Sequence, residues 1–301
     1  MALGLLLLGQ LADVLGGPFS YVEVMSMSGL LQSFAPDARL LRSWALTGGV
    51  SAIVTALEFE QGGEKRTVVV RQYGPRDLSA KPNIAAQEFK LLNFLHAAGL
   101  PVPLPLHHAP GVLVTRFIEG KSGVDVVPDP LQLAHFLARL HGLNAAGLDV
   151  RSLPEVGPAP ENADDSLSET RIRAALASQQ PRQTLEPVLL HGDFWPGNTL
   201  WNAGKLAAII DWEDSATGDA LYDVSITRLE LLFFHGQDVM QGFTQEYARL
   251  TGADFGGLPY WDLRAALRPC GFLGYWGLSP ELEAQMRGRH AWFVEQALQG
   301  A

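Results

Sequence analysis

The sequence predicts an α+β protein with a strand-rich first part and a mainly helical second part, and three patterns predict it. Apolar, β-branched runs broken by glycine pairs fill the stretch from about Leu40 to Ile118. Apolar residues recur at helical spacing from about Pro130 onward. Between the helical stretches, short apolar runs beginning at Val188, Thr199 and Leu206 read as a ribbon of strands. At 301 residues and 47% hydrophobic content, the chain can bury a large core, as one two-lobed unit or two small domains.

The chain opens oddly. Leu3 to Leu8 is strongly apolar, yet it lacks the basic flank of a secretory signal and is too short to span a bilayer. Gly16-Gly17-Pro18 breaks any helix there, and Met25 and Met27 precede a more ordinary start. Residues 1–27 are therefore expected to be an appendage, 28–118 a smaller lobe and 119–301 a larger one.

In the smaller lobe, Trp44 to Ala52 followed by Ile53 to Phe59 reads as strand, glycine turn, strand, and Gln61-Gly62-Gly63-Glu64 turns the chain into Thr67 to Val70. Paired glycines let backbone N–H groups approach phosphates, so Gly48, Gly49, Val50 and Ser51 are a candidate phosphate loop. A glycine hairpin without a ligand would read the same way, and the G-x-G-x-x-G form is absent.

Val68-Val69-Val70 then runs into Arg71, and an amphipathic helix from about Asn83 to Ala98 carries Glu88. Kinases hold a cation on the third strand against a glutamate of the next helix, where it meets the nucleotide phosphates. Arg71 and Glu88 are candidates for that pair, with guanidinium in place of the usual ammonium. Lys65 is the rival cation, although it lies in the turn. Gly99 to Pro103 ends the helix, and Val112 to Gly120 reads as a strand entering a linker.

The larger lobe starts with a helix after Asp129-Pro130, in which Leu131, Ala134, Leu137, Ala138 and His141 repeat at helical spacing. Pro154 to Pro160 is a loop. His191-Gly192-Asp193-Phe194-Trp195-Pro196-Gly197-Asn198 follows the Val188 run, and Ile210-Asp211-Trp212-Glu213 follows the Leu206 run. The turn Asn202 to Lys205 folds the ribbon back, bringing Asp211 beside Asn198. Pro196-Gly197 is expected to keep that loop out of helix.

These residue types suit phosphoryl transfer. The acceptor hydroxyl needs alignment and a late proton acceptor, for which a carboxylate suffices, and Asp193 fits. Mg²⁺ retains waters and bonds phosphates, so it takes only one or two protein carboxylates plus other oxygens. Asn198 and Asp211 fit that demand. The Asp-to-Asn interval equals that of the protein-kinase catalytic loop, with Gly192 where that loop has Arg. A surface hairpin with a chance Asp-Asn-Asp set is the structural alternative.

His191-Gly192-Asp193 with Asn198, then Ile210-Asp211-Trp212-Glu213, then Gly218-Asp219 and Asp223, resembles the aminoglycoside phosphotransferase and choline kinase family of small-molecule kinases. The family pattern is HGDxxxxN, IDW(E) and GDPxxDL, and this chain departs from it at Ala220, where the family often has proline. The resemblance implies a protein-kinase-like bilobal fold, with one main helix in the strand-rich, nucleotide-binding lobe. It also implies ATP and Mg²⁺ as cofactors, and backbone groups of Thr115, Arg116, Phe117 and Ile118 pairing with adenine. Asp219 and Asp223 are expected to serve the start of a helix from Ala220 to Phe234.

Exclusions narrow the rest. A net charge of −10 disfavours nucleic acid as partner; it suits a cationic substrate, and equally it only maintains solubility. Cys270 stands alone, which rules out an intramolecular disulfide and leads to an expected cytoplasmic, reducing location with no membrane association. Ala159-Pro160-Glu161 precedes the catalytic loop instead of following it, so a peptide substrate is disfavoured. Walker A, G-x-S-x-G and H-E-x-x-H are absent. Tyr260, Trp261, Tyr275, Trp276 and Trp292 could face a quaternary ammonium or could be core; Glu213 and Asp214 could hold amino groups or face water. The expected function is phosphate transfer from ATP to the hydroxyl of a small molecule. Alternatives are a nucleotide-binding regulator without turnover and a substrate-binding module without nucleotide.

Overall fold

The computed structural model describes residues 27–46, 52–179 and 186–300. The appendage up to residue 26 and the candidate loop Gly48, Gly49, Val50 and Ser51 lie outside the described residues. The chain divides into two units at Glu119/Gly120.

The first unit is an antiparallel sheet of β1 (Arg39–Ala45), β2 (Ala52–Gln61), β3 (Glu64–Tyr73), β4 (Pro105–Ala109) and β5 (Val112–Arg116), in the order β1-β2-β3-β5-β4. Two residues join β2 to β3, and Gly62 and Gly63 have φ of +60° and +82°, the left-handed pair that a tight hairpin requires. Three helices accompany the sheet: α1 (Met27–Phe34), α2 (Pro75–Ala80) and α3 (Ile84–Ala97). The main helix, α3, sits where the periodicity placed it.

Helix α1 was not expected as an element, and it begins at Met27, inside the span assigned to the appendage. Its Leu30 and Leu31 are buried against Leu57, Phe59, Val68, Val70 and Val114, so α1 covers one apolar face of the sheet. That burial, not helix propensity, accounts for so short a helix.

The second unit is mainly helical: α4 (Pro130–His141), α5 (Glu169–Ser178), α6 (Leu221–His235), α7 (Gln237–Thr251), α8 (Leu258–Ala266) and α9 (Pro280–Gln299). Asp129 caps α4, accepting from the Leu131 N–H at 2.9 Å. Helix α6 is buried on nearly all sides, its polar Asp223, Ser225, Thr227 and Glu230 included, and is packed by α7, α8 and α9. Two small sheets hold the loops: β10 (Lys205–Ile209) with β9 (Thr199–Asn202) and β6 (Lys121–Ser122), and β7 (Arg151–Ser152) with β11 (Ala216–Gly218) and β8 (Val188–Leu190). Among the described residues no helix is long and apolar enough to cross a membrane.

Candidate active site

Strand β8 leads directly into His191, whose ring is buried beside Phe194 and Trp212, with ring centroids 5.7 Å and 4.5 Å away. His191 Nδ1 accepts from the Asp193 N–H at 3.2 Å, which leaves Nε2 to donate to the Ile210 carbonyl at 3.1 Å. The imidazole thus ties the loop carrying Asp193 to the strand leading into Asp211. Gly192 has φ +86°, and a Cβ there would lie 2.1 Å from the Asp214 carbonyl oxygen. Only glycine lets the two segments approach so closely.

Asn198 is buried, and its Nδ2 donates both to the Asp193 backbone carbonyl and to Asp193 Oδ2, each at 3.0 Å. Its backbone carbonyl accepts from the Ile210 N–H at 3.0 Å, so the residue before Asp211 is fastened to Asn198. Asp211 holds φ +67°, a left-handed conformation that Asp tolerates better than most side chains and that recurs where a site fixes its backbone. Pro196–Asn198 forms one turn of 3-10 helix where an irregular loop was expected, because proline's fixed φ suits a first helical position. The ribbon β9–β10 folds back as the sequence predicts.

The donor set fits a hard divalent cation. With Nδ2 bonded to Asp193, the Asn198 amide oxygen is oriented as an acceptor, and Asp211 adds a carboxylate. Among the described residues no group of three or more His, Cys, Asp or Glu side chains forms a metal cage. An ion held here would complete its shell with waters and phosphate oxygens.

Several groups that sequence reasoning did not assign to the site hold it together. Asp223, expected to serve the start of a helix, is fully buried in α6; its Oδ2 accepts from the His191 N–H at 2.7 Å and its Oδ1 from the Gly192 N–H at 2.9 Å. His141 lies 3.3 Å from the same carboxylate and 2.7 Å from the Tyr247 hydroxyl. Thr227 Oγ1 donates to the Phe194 carbonyl at 2.8 Å. Asp219 does serve the helix start, accepting from the Leu221 N–H at 2.8 Å.

Arg268, just beyond α8, forms an ion pair between its Nη2 and Asp193 Oδ1, and its Nη1 reaches the Gly192 carbonyl at 3.4 Å. Burial opposes the guanidinium charge, yet Asp193, Tyr222 and Glu230 hold it on. Glu230 is buried, which pushes its carboxyl up to about 7; Arg268 opposes that rise and Asp193 adds to it. No local pattern marks Arg268, because its partner lies far back in the chain. Asp223 does carry a sequence signal, in the Gly218-Asp219 to Asp223 spacing.

Within the first unit, Arg71 lies on β3 and Glu88 on α3, as expected. The buried Glu88 Oε2 accepts a hydrogen bond from the Tyr73 hydroxyl, and the Arg71 guanidinium lies 5.3 Å from the centre of the Tyr73 ring. Lys65 is exposed near the opposite end of β3. The Arg116 N–H bonds the Leu104 carbonyl at 2.8 Å and the Phe117 N–H bonds the Thr67 carbonyl at 3.3 Å. Of the linker residues Thr115 to Ile118, these two donors are therefore already used within the sheet.

Other candidates resolve into structure. Asp214 pairs with Arg151 at 2.8 Å. The ring faces of Trp261 and Tyr222 already carry Arg264, 4.9 Å and 5.5 Å from their centres. His135 meets Glu246 at 2.7 Å on the surface. Cys270 is buried, and burial pushes its thiol up to about 12. A cavity of about 830 Å³ is lined by Tyr260, Trp261, Arg264 and Asp219 among others, but by none of Asp193, Asn198 or Asp211.

A family model described as "Phosphotransferase enzyme family" matches residues 48–267. Homoserine kinase of Pseudomonas aeruginosa is 29% identical over 163 residues, covering 46% of this chain and 51% of that protein. Acyl-CoA dehydrogenase family member 11 of Gallus gallus is 27% identical over 198 residues, covering 55% of this chain and 25% of that protein. The chain thus spans between a quarter and about half the length of these curated relatives. Among solved structures, macrolide 2'-phosphotransferase MphH of Brachybacterium faecium superposes with a TM-score of 0.61 at 17% identity, covering 87% of this chain and 98% of that one. Amicoumacin kinase hAmiN, in complex with AMP-PNP, Ca²⁺ and Ami, does so with a TM-score of 0.62 at 14% identity, covering 92% and 94%. The fold is therefore the protein-kinase-like one that these two enzymes share.

Proposed function

This chain belongs to the phosphotransferase enzyme family, and from that premise we propose that it transfers the γ-phosphate of ATP, with Mg²⁺, to a hydroxyl of a small molecule. One observation carries the reading. Asp193, Asn198 and the Asp211 segment are fastened to one another by the Asn198 side chain and by the bond from the Ile210 N–H to the Asn198 carbonyl.

In this reading Asp193 accepts the proton of the attacking hydroxyl as the new O–P bond forms and the bond from the γ-phosphorus to the β-phosphate oxygen breaks, with ADP leaving. The bond from Asn198 Nδ2 to Asp193 Oδ2 aims that carboxylate. Asn198 and Asp211 would hold the divalent ion, which when bound neutralises charge on the phosphates. Arg71, with Glu88 as its partner, would hold phosphate oxygens, and Gly48 to Ser51 would supply backbone N–H donors. The linker Thr115 to Ile118 would pair with adenine through groups other than the Arg116 and Phe117 N–H. A cytoplasmic location accords with the lone buried cysteine.

The test is ADP release above the water background across a panel of hydroxyl compounds. It should include aminoglycosides, macrolides, amicoumacin, choline and homoserine, since relatives are named for several of these. Asp193→Ala should abolish turnover while nucleotide binding persists, and Asp211→Ala should weaken Mg-nucleotide binding as well. Full activity in both variants would reject the site.

A further inference from the structure

We propose that Arg268 makes the acceptor site selective for alcohols that carry an anionic group, a carboxylate above all, beside the hydroxyl to be phosphorylated. The inference rests on the reading of Asp193 as the base and deepens it. Both oxygens of that carboxylate are engaged: Oδ2 accepts from Asn198 Nδ2 at 3.0 Å, and Oδ1 is paired with Arg268 Nη2. A hydroxyl that approaches Asp193 therefore meets a guanidinium at the oxygen it needs.

Arg268 is not sealed in. Its side chain is 34% exposed and that of Asp193 is 24% exposed, so an incoming molecule reaches both. A carboxylate on the acceptor competes for the guanidinium fork, which matches planar oxyanions in a two-bond geometry. Drawing Arg268 off Asp193 frees Oδ1 for the hydroxyl, so the acceptor's own charge uncovers the base. A neutral alcohol has nothing to exchange for the pair, and an amine beside the hydroxyl is repelled by Arg268. Asp214, which could otherwise attract an amine here, is paired with Arg151.

The experiment compares acceptors of one length and hydroxyl position that end in carboxylate, amide or ammonium: hydroxypropanoate, hydroxypropanamide and aminopropanol. Each is measured by ADP release with Mg-ATP on the full chain, and separately by calorimetry without nucleotide. The expected result is kcat/KM at least about tenfold higher for the carboxylate, a margin typical of one charge-assisted arginine contact. Arg268→Gln should raise KM for the carboxylate and raise kcat for the amide, because the base is no longer covered. Arg268→Lys should keep part of the carboxylate preference, and melting curves check that both variants are folded.

Preference for the amine or amide, or a carboxylate preference that survives Arg268→Gln, overturns the proposal while leaving phosphate transfer intact. If no acceptor releases ADP, it is the phosphotransferase reading that fails. The calorimetric comparison then decides the role of Arg268 on its own: carboxylate binding lost in Arg268→Gln supports it, and equal affinity for carboxylate and amide overturns it.

Discussion

Gly192 shows how narrowly single residues constrain the site. Alanine there would combine a left-handed φ with a Cβ 2.1 Å from the Asp214 carbonyl oxygen, so Gly192→Ala should cost about 3 kcal/mol of stability in denaturant titrations. Asp223→Ala would strip two loop N–H groups and His141 of a buried partner. It should cost roughly 3 kcal/mol and lower kcat more than nucleotide affinity. Glu230 yields a pH signature. Its folded carboxyl titrates at about 7 against an ordinary 4.5, so the protonated form is the stabilising one. That stability is fully present below about pH 4.5 and is lost as pH rises through about 7, a swing of roughly 3 kcal/mol. Melting temperatures of Glu230→Gln between pH 5 and 8 should lack that decline; an unchanged slope would count against it.

At the level of elements, the structure depends on short pieces fixed by their neighbours. Leu30→Ala in α1 should cost about 3 kcal/mol in urea unfolding, because Leu30 is wholly buried against the sheet. The elements legible in the sequence were those whose signal is local. Gly62-Gly63 announced the β2–β3 hairpin, Asp129-Pro130 announced α4, and the apolar runs on either side of the turn Asn202 to Lys205 announced the β9–β10 ribbon. Those that escaped are set by distant partners. Helix α1 has too few residues to declare itself before the sheet it covers is known. Arg268 and Asp193 meet only because α8 packs on α6, and that packing leaves no mark at either position.

For the molecule as a whole, the sheet unit carries Arg71, Glu88 and the linker, while the helical unit carries Asp193, Asn198 and Asp211. Binding a ligand only in the native state stabilises the chain, so saturating Mg-ATP should raise the melting temperature. At a hundredfold excess over Kd the gain is about 2.7 kcal/mol, and Asp211→Ala should lose most of it. No shift in the wild type would argue against nucleotide binding by either unit. The sealed thiol of Cys270 has a practical corollary. Since it is the one native cysteine and burial keeps it protonated, a second cysteine introduced on an exposed surface would take a maleimide dye or spin label alone. Distances between units could then be followed by spectroscopy without first building a cysteine-free background.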